Sequence, residues 1–169
     1  AAEMQRRRGR LADGLAELQA AGVTRVLVLP LYPQYSSSTT GSVEDALAAA
    51  RPEKRLGLKV RLVREFHDHP AYAKAVARNV NDYWVKHGRP DRLLMSFHGL
   101  PKAMVAAGDP YQKQCLETAR LIAVELGWND ARTLVTFQSR FGAAEWISPY
   151  TDETLKRLGT EKAGRVDVI

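Results

Sequence analysis

Short runs of β-branched and large apolar residues alternate along this chain with stretches that carry apolar residues at helical spacing. The runs are VTRVLVLPL (23–31), LKVRLVREF (58–66), RLLMSF (92–97), RTLVTF (132–137) and VDVI (166–169). Near-continuous apolar strands belong in a sheet covered on both faces. In the helical stretches, Leu11, Leu15 and Leu18 share a face ahead of Gly22. Ser42 is placed to cap a second helix, with Glu44 and Asp45 in its first turn. Val76, Val80, Tyr83 and Trp84 stripe the next, between Pro70 and Gly88. Leu116, Ala119, Ile122, Ala123 and Leu126 stripe another, stopped by Gly127. Thr151 opens a last helix and Gly159 closes it. Such alternation predicts parallel strands with right-handed crossovers. KHGRPD (86–91) puts Gly, Pro and charge between a long helix and a new strand, and so marks a boundary. The expectation is an α/β fold of two Rossmann-like units, with parallel sheets flanked by helices. Residues 1–88 would lack an opening strand, and residues 89–169 a last strand and helix.

Composition narrows the partners. With 45% hydrophobic residues in 169, the chain can build a core. Its net charge of +6 is partly local, in RRRGR (6–10). A basic balance permits an anionic partner without choosing among nucleic acid, a membrane surface and a carboxylate-bearing small molecule. No groove-reading or aromatic-interleaved motif accompanies these arginines, so nucleic acid is not expected. Peripheral contact with anionic lipid is permitted. The single cysteine, Cys115, excludes an internal disulfide framework and suits a reducing compartment. No apolar run approaches the roughly 20 residues that span a bilayer, and no apolar stretch follows the N-terminal arginines as in a secretory signal. A soluble, cytoplasmic protein is expected.

In open parallel sheets, ligands bind beyond the carboxyl ends of the strands. Four loops follow strands here: YPQYSSSTTGS (32–42), HDHP (67–70), HGLP (98–101) and QSRFGAAEWISPYTD (138–152). They offer hydroxyls, imidazoles, a guanidinium and aromatic rings, a mixture suited to a flat apolar ligand with anionic groups. Each also has a plainer reading. His98 is a strand-end structural histidine, a helix cap or a ligand. His67 and His69 have metal-compatible spacing, but His69 or Asp68 can equally cap the helix beginning at Pro70. The hydroxyl run lacks the glycines and lysine of a P-loop and reads as well as an ordinary polar loop. Phe141 and Trp146 are core residues or, beside Gln138 and Arg140, part of a site.

Taken together, LPLYPQYSSSTTGS, FHDHPAY, SFHGLP, GDPY and TFQSRFGAAEWISPYTDETLKRLG occur in one order along the chain. In that order they resemble the ferrochelatases of Gram-negative bacteria, from about Leu11 onward. The resemblance implies two chelatase-type Rossmann-like domains and insertion of ferrous iron into protoporphyrin IX, the last step of haem biosynthesis. It implies that His98, in the Ser-x-His-x-x-Pro signature, is the catalytic, metal-site histidine. It also implies that Tyr32, Ser38, Leu100, Pro101, Gln138, Phe141 and Trp146 surround the macrocycle. The partners would be protoporphyrin IX and Fe²⁺ as substrates, with no tightly bound cofactor. Metallation must remove two pyrrole protons and deliver a metal, and a neutral imidazole can ligate Fe²⁺ or accept a proton. Stacking can hold the macrocycle bent.

The chain departs from that pattern in three places. The family's glutamate facing the histidine lies in an ETLEE-like segment after the strand that begins VDVI here, beyond Ile169. The opening strand with its porphyrin lip would precede Ala1, and MQRRRGR (4–10) stands where relatives read like MRYGNPS. Ser37 stands where some relatives carry a cluster-binding cysteine, so no iron–sulfur cluster is expected. These departures predict weak or absent metallation by this chain alone. The alternatives are a remnant that holds porphyrin or metal without turnover, and a chelatase for another tetrapyrrole such as coproporphyrin.

Overall fold

The computed structural model describes residues 2–50, 52–128 and 131–169, with the side chains of 2–9 outside the description. The side chains of Arg6, Arg7 and Arg8 therefore lie outside the described residues, although their backbone is helical; Arg10 is exposed. Among the described residues, no helix is long and apolar enough to cross a membrane.

The chain divides into two compact units, Ala1–Phe66 and His67–Ile169. The first contains α1 (Ala2–Ala20), β1 (Arg25–Val28), α2 (Thr40–Ala50), α3 (Pro52–Leu56) and β2 (Lys59–Leu62). Its strands pair in parallel, Arg25 opposite Lys59 through Val28 opposite Leu62. Helix α1 packs on α2 and α3, turning Leu15 inward and leaving Leu18 exposed. Helix α2 begins ahead of the anticipated cap. Ser42 sits inside its first turn with Oγ donating to the Thr39 carbonyl at 2.7 Å. Glu44 leaves the first turn and instead accepts from Tyr35 Oη and pairs with Arg64.

The second unit contains α4 (Pro70–His87), β3 (Arg92–His98), α5 (Lys102–Ala106), α6 (Tyr111–Leu126), β4 (Thr133–Gln138), α7 (Thr151–Thr160) and β5 (Val166–Val168). Its sheet has the order β4-β3-β5, with β3 parallel to both neighbours. Leu93, Leu94 and Met95 are buried, so central β3 is covered on both faces as its apolar run predicts. Leu93 and Met95 enter a core with Ala73, Ala77, Val80 and Trp84 of α4 and Ala119, Ile122, Ala123 and Leu126 of α6. That packing explains where the division falls. It lies before α4 rather than near residue 88, because the apolar stripe of α4 is spent on the second sheet. KHGRPD is a tight helix-to-strand connection within one unit.

β5 is held in place by more than its ladder. Trp84 Nε1 donates to Asp167 Oδ2 at 2.9 Å, and Arg165 donates to both Asp167 oxygens. The Arg165 guanidinium also reaches the His87 carbonyl, and its backbone N–H donates to Asp91 Oδ2 at 2.8 Å. The tight turn before β5 needs Gly164: φ is +78°, and a Cβ there would stand 2.2 Å from Asp91 Oδ2.

Candidate functional site

In the second unit the structure gathers His98, Leu100, Pro101, Gln138, Phe141 and Trp146 at the carboxyl ends of β3 and β4. His98 and Gln138 are register partners on the parallel pair, so their side chains leave the same face. His98 is exposed. Its Nδ1 lies 2.8 Å from the Gly99 carbonyl oxygen. A carbonyl can only accept, so the contact needs a proton on Nδ1, and in the neutral ring this leaves the lone pair on Nε2. Anchoring one ring nitrogen to a backbone carbonyl is how metal-ligating histidines are commonly oriented.

Two loops are laced together beside it. Gly99 N–H donates to Gln138 O at 2.7 Å, Ile147 N–H to Leu100 O at 2.9 Å and Lys102 N–H to Glu145 O at 2.8 Å. Pro101 and Trp146 form an antiparallel bridge. Gly99 is what lets the loops close, since a Cβ there would lie 2.7 Å from Gln138 O and 3.0 Å from the Trp146 ring. Trp146 is buried and donates its indole N–H to Phe141 O at 3.0 Å. Phe141 is 73% exposed, its ring 4.8 Å from that of Trp146. Of this aromatic pair, Trp146 is buried as a core residue would be, and Phe141 is exposed. Ser139, between Gln138 and Arg140, has a φ of 67°, a backbone state that non-glycine residues seldom adopt.

Leu100 stands beneath the rim, not on it. It is buried with Cys115, Phe137 and Ile147. Burial pushes the Cys115 thiol up to about 12, partly offset by a hydrogen bond with Tyr111. Burial foremost, together with Cys115, also pushes the Tyr111 phenol well upward, against a hydrogen bond to the His98 backbone that lowers it. Both groups stay neutral in the folded protein while the unfolded thiol ionises near pH 9, so their contribution is complete below pH 9 and is lost as pH rises towards 12. Urea midpoints should therefore fall across that window, and Cys115→Ala should flatten the fall. An identical slope in the variant would contradict this.

Arg140 does not stand free at the rim. It donates to Glu153 Oε1 at 2.9 Å and Asp152 Oδ2 at 3.1 Å, and stacks 3.9 Å over the Tyr150 ring. The guanidinium that the loop sequence offers to an anionic ligand is already engaged at the first turn of α7. His69 acts as a cap, its Nδ1 accepting from Ala71 N–H at 3.2 Å. Among the described residues, no group of three His, Cys, Asp or Glu side chains is placed to hold a metal.

Tyr32 and Ser38 belong to the first unit. Tyr32 is 44% exposed. Ser38 lies in a turn closed on Ser36, whose carbonyl accepts from Thr39 and Gly41 N–H. Ser36 Oγ accepts from Ser38 N–H at 3.2 Å and lies 2.9 Å from Ser38 Oγ. The Ser36 and Ser38 hydroxyls thus bond to each other within the loop's own turn.

Sequence reasoning missed the hydroxyl cluster beneath the rim. Ser96 Oγ lies 2.9 Å from Thr151 Oγ1, which donates to Thr136 Oγ1 at 2.9 Å. The available signal was Ser96 and Thr136, polar interruptions two residues before His98 and Gln138 in apolar strands.

Parallel strands flanked by helices, ending in one rim where His98 stands beside an aromatic loop, define an α/β protein with an open parallel sheet. The chain belongs to the ferrochelatase family, whose model matches residues 2–169. It is 53% identical over 159 residues to a ferrochelatase of Aromatoleum aromaticum, covering 94% of this chain and 44% of that protein. It is 52% identical to one of Azoarcus sp., with the same coverage. A ferrochelatase of Nitrosomonas europaea is 48% identical over the same shares. The chain thus spans less than half the length of these curated relatives.

Proposed function

We propose that this chain carries the metal-receiving part of an enzyme that inserts ferrous iron into protoporphyrin IX in the cytoplasm. The observation that carries the reading is His98 at the end of β3, whose Nδ1 lies 2.8 Å from Gly99 O, so that in the neutral ring Nε2 is the nitrogen with the lone pair. That nitrogen can take the incoming metal or a pyrrole proton in turn. Phe141, exposed over Trp146, offers a ring face to the macrocycle. Iron enters as substrate. No iron–sulfur cluster is invoked, since the one cysteine is buried in the core. A second reading, porphyrin binding without turnover, needs only the exposed Phe141 ring beside Trp146.

The test mixes the protein anaerobically with protoporphyrin IX and Zn²⁺ or Fe²⁺ and follows the porphyrin absorbance bands. Metallation above the uncatalysed rate, lost in His98→Ala, is expected of the enzyme. A red-shifted porphyrin band without metallation selects the binder, and no spectral change overturns both. Coproporphyrin in place of protoporphyrin distinguishes the tetrapyrrole.

A further inference from the structure

We infer that Thr151 is a positioning residue for His98, an inference that rests on reading His98 as the metal-receiving group. Ser96 and Thr136 are register partners, one pair below His98 and Gln138 on the same face of the parallel ladder. Thr151, the first residue of α7, bridges them. Each hydroxyl has one proton. Thr151 spends its own on Thr136 Oγ1, so Ser96 donates to Thr151 and the two bonds run one way. Thr136 is fully buried, and its satisfied hydroxyl therefore has no water to fall back on.

The bridge ties three elements at one point. β3 carries His98, β4 carries Gln138, and the first turn of α7 carries the carboxylates of Asp152 and Glu153 that hold Arg140. Tyr150, preceding Thr151, donates its hydroxyl to Trp146 O at 3.1 Å. Thr151 thus sets the spacing between the histidine strand and the aromatic loop without touching either His98 or the ring of Phe141. Loss of its hydroxyl would release the strand ends, and the His98–Gly99–Gln138 contacts that select the ring tautomer would lose their common reference.

The test compares the Thr151→Val and Thr151→Ser proteins with the parent by long-range ¹H–¹⁵N NMR of the histidine rings, assigned with His98→Ala. The parent should show one His98 tautomer, protonated at Nδ1. Thr151→Val, similar in shape but without the hydroxyl, should show a second set of His98 signals, and Thr151→Ser should restore the single set. Circular dichroism checks that each variant is folded. If Thr151→Val does not fold, Ser96→Ala, which removes one arm of the bridge, replaces it. Unchanged His98 signals in a folded Thr151→Val or Ser96→Ala protein would overturn the inference. A Zn²⁺ titration of the parent separates the two ideas. If Zn²⁺ leaves the His98 ring signals in place, the metal-receiving reading fails, whatever the tautomer comparison shows. If Zn²⁺ does bind there, Thr151→Val should weaken it about tenfold, the usual cost of losing a residue that orients a ligand.

Discussion

Trp84→Ala should destabilise the second unit by about 3–5 kcal/mol, the range for emptying a large aromatic site in a core. Trp84 is 3% exposed, stacks on Trp128 at 4.7 Å between ring centroids, and gives its indole proton to Asp167 of β5. The substitution therefore opens a cavity between α4 and the sheet and removes a charge-assisted bond that holds an edge strand. Trp84→Phe keeps most of the apolar volume while losing the bond, so its loss should be smaller. Urea unfolding followed by far-UV circular dichroism measures both. A loss under about 1 kcal/mol for Trp84→Ala, the size of an ordinary surface change, would mean that α4 is not part of this core.

Gly99→Ala should damage fold and site together. The added methyl would meet Gln138 O at 2.7 Å and the Trp146 ring at 3.0 Å. The first is backbone at the end of β4, so relief requires the two loops to part. Forced packing of this kind costs about 1–3 kcal/mol. The more telling effect is on His98, whose ring is anchored to the Gly99 carbonyl. Zn²⁺-induced shifts at His98 should be lost in Gly99→Ala under conditions where circular dichroism reports a folded protein. Retention of those shifts with parent-like affinity would refute the close approach as a requirement of the site.

How much of this could be read beforehand differs by feature. The buried strand β3 and helices α4 and α6 announce themselves, because their apolar patterns are long; Ala119, Ile122, Ala123 and Leu126 enter the core as expected, whereas Leu116 and Tyr83 of the same stripes are exposed. Helices α3 and α5 have five residues each, too few for a period to show. The start of α2 was misplaced because SSSTTGS supplies several equivalent capping hydroxyls, and only the Ser36 turn decides among them. The unit boundary was misleading for a related reason. Gly, Pro and charge mark a chain reversal, and a reversal inside a unit has the same composition as a linker. At the site, His98 could be singled out by position and motif. Its tautomer could not, since that depends on one carbonyl oxygen 2.8 Å away. Nor could the engagement of Arg140, because Asp152 and Glu153 follow it by 12 and 13 residues and come beside it only in the folded chain.

That engagement bears on what a dication would encounter. Arg140 is faced by the carboxylates of both Asp152 and Glu153, so this corner of the second unit holds one more negative than positive charge. Nearby, Lys102 and Glu145 cancel each other. Within a Debye length of about 8–10 Å the field of such a cluster is felt, and beyond it salt removes most of it. A loop whose sequence advertises a cation thus carries a small net negative charge, because the chain itself neutralises the arginine.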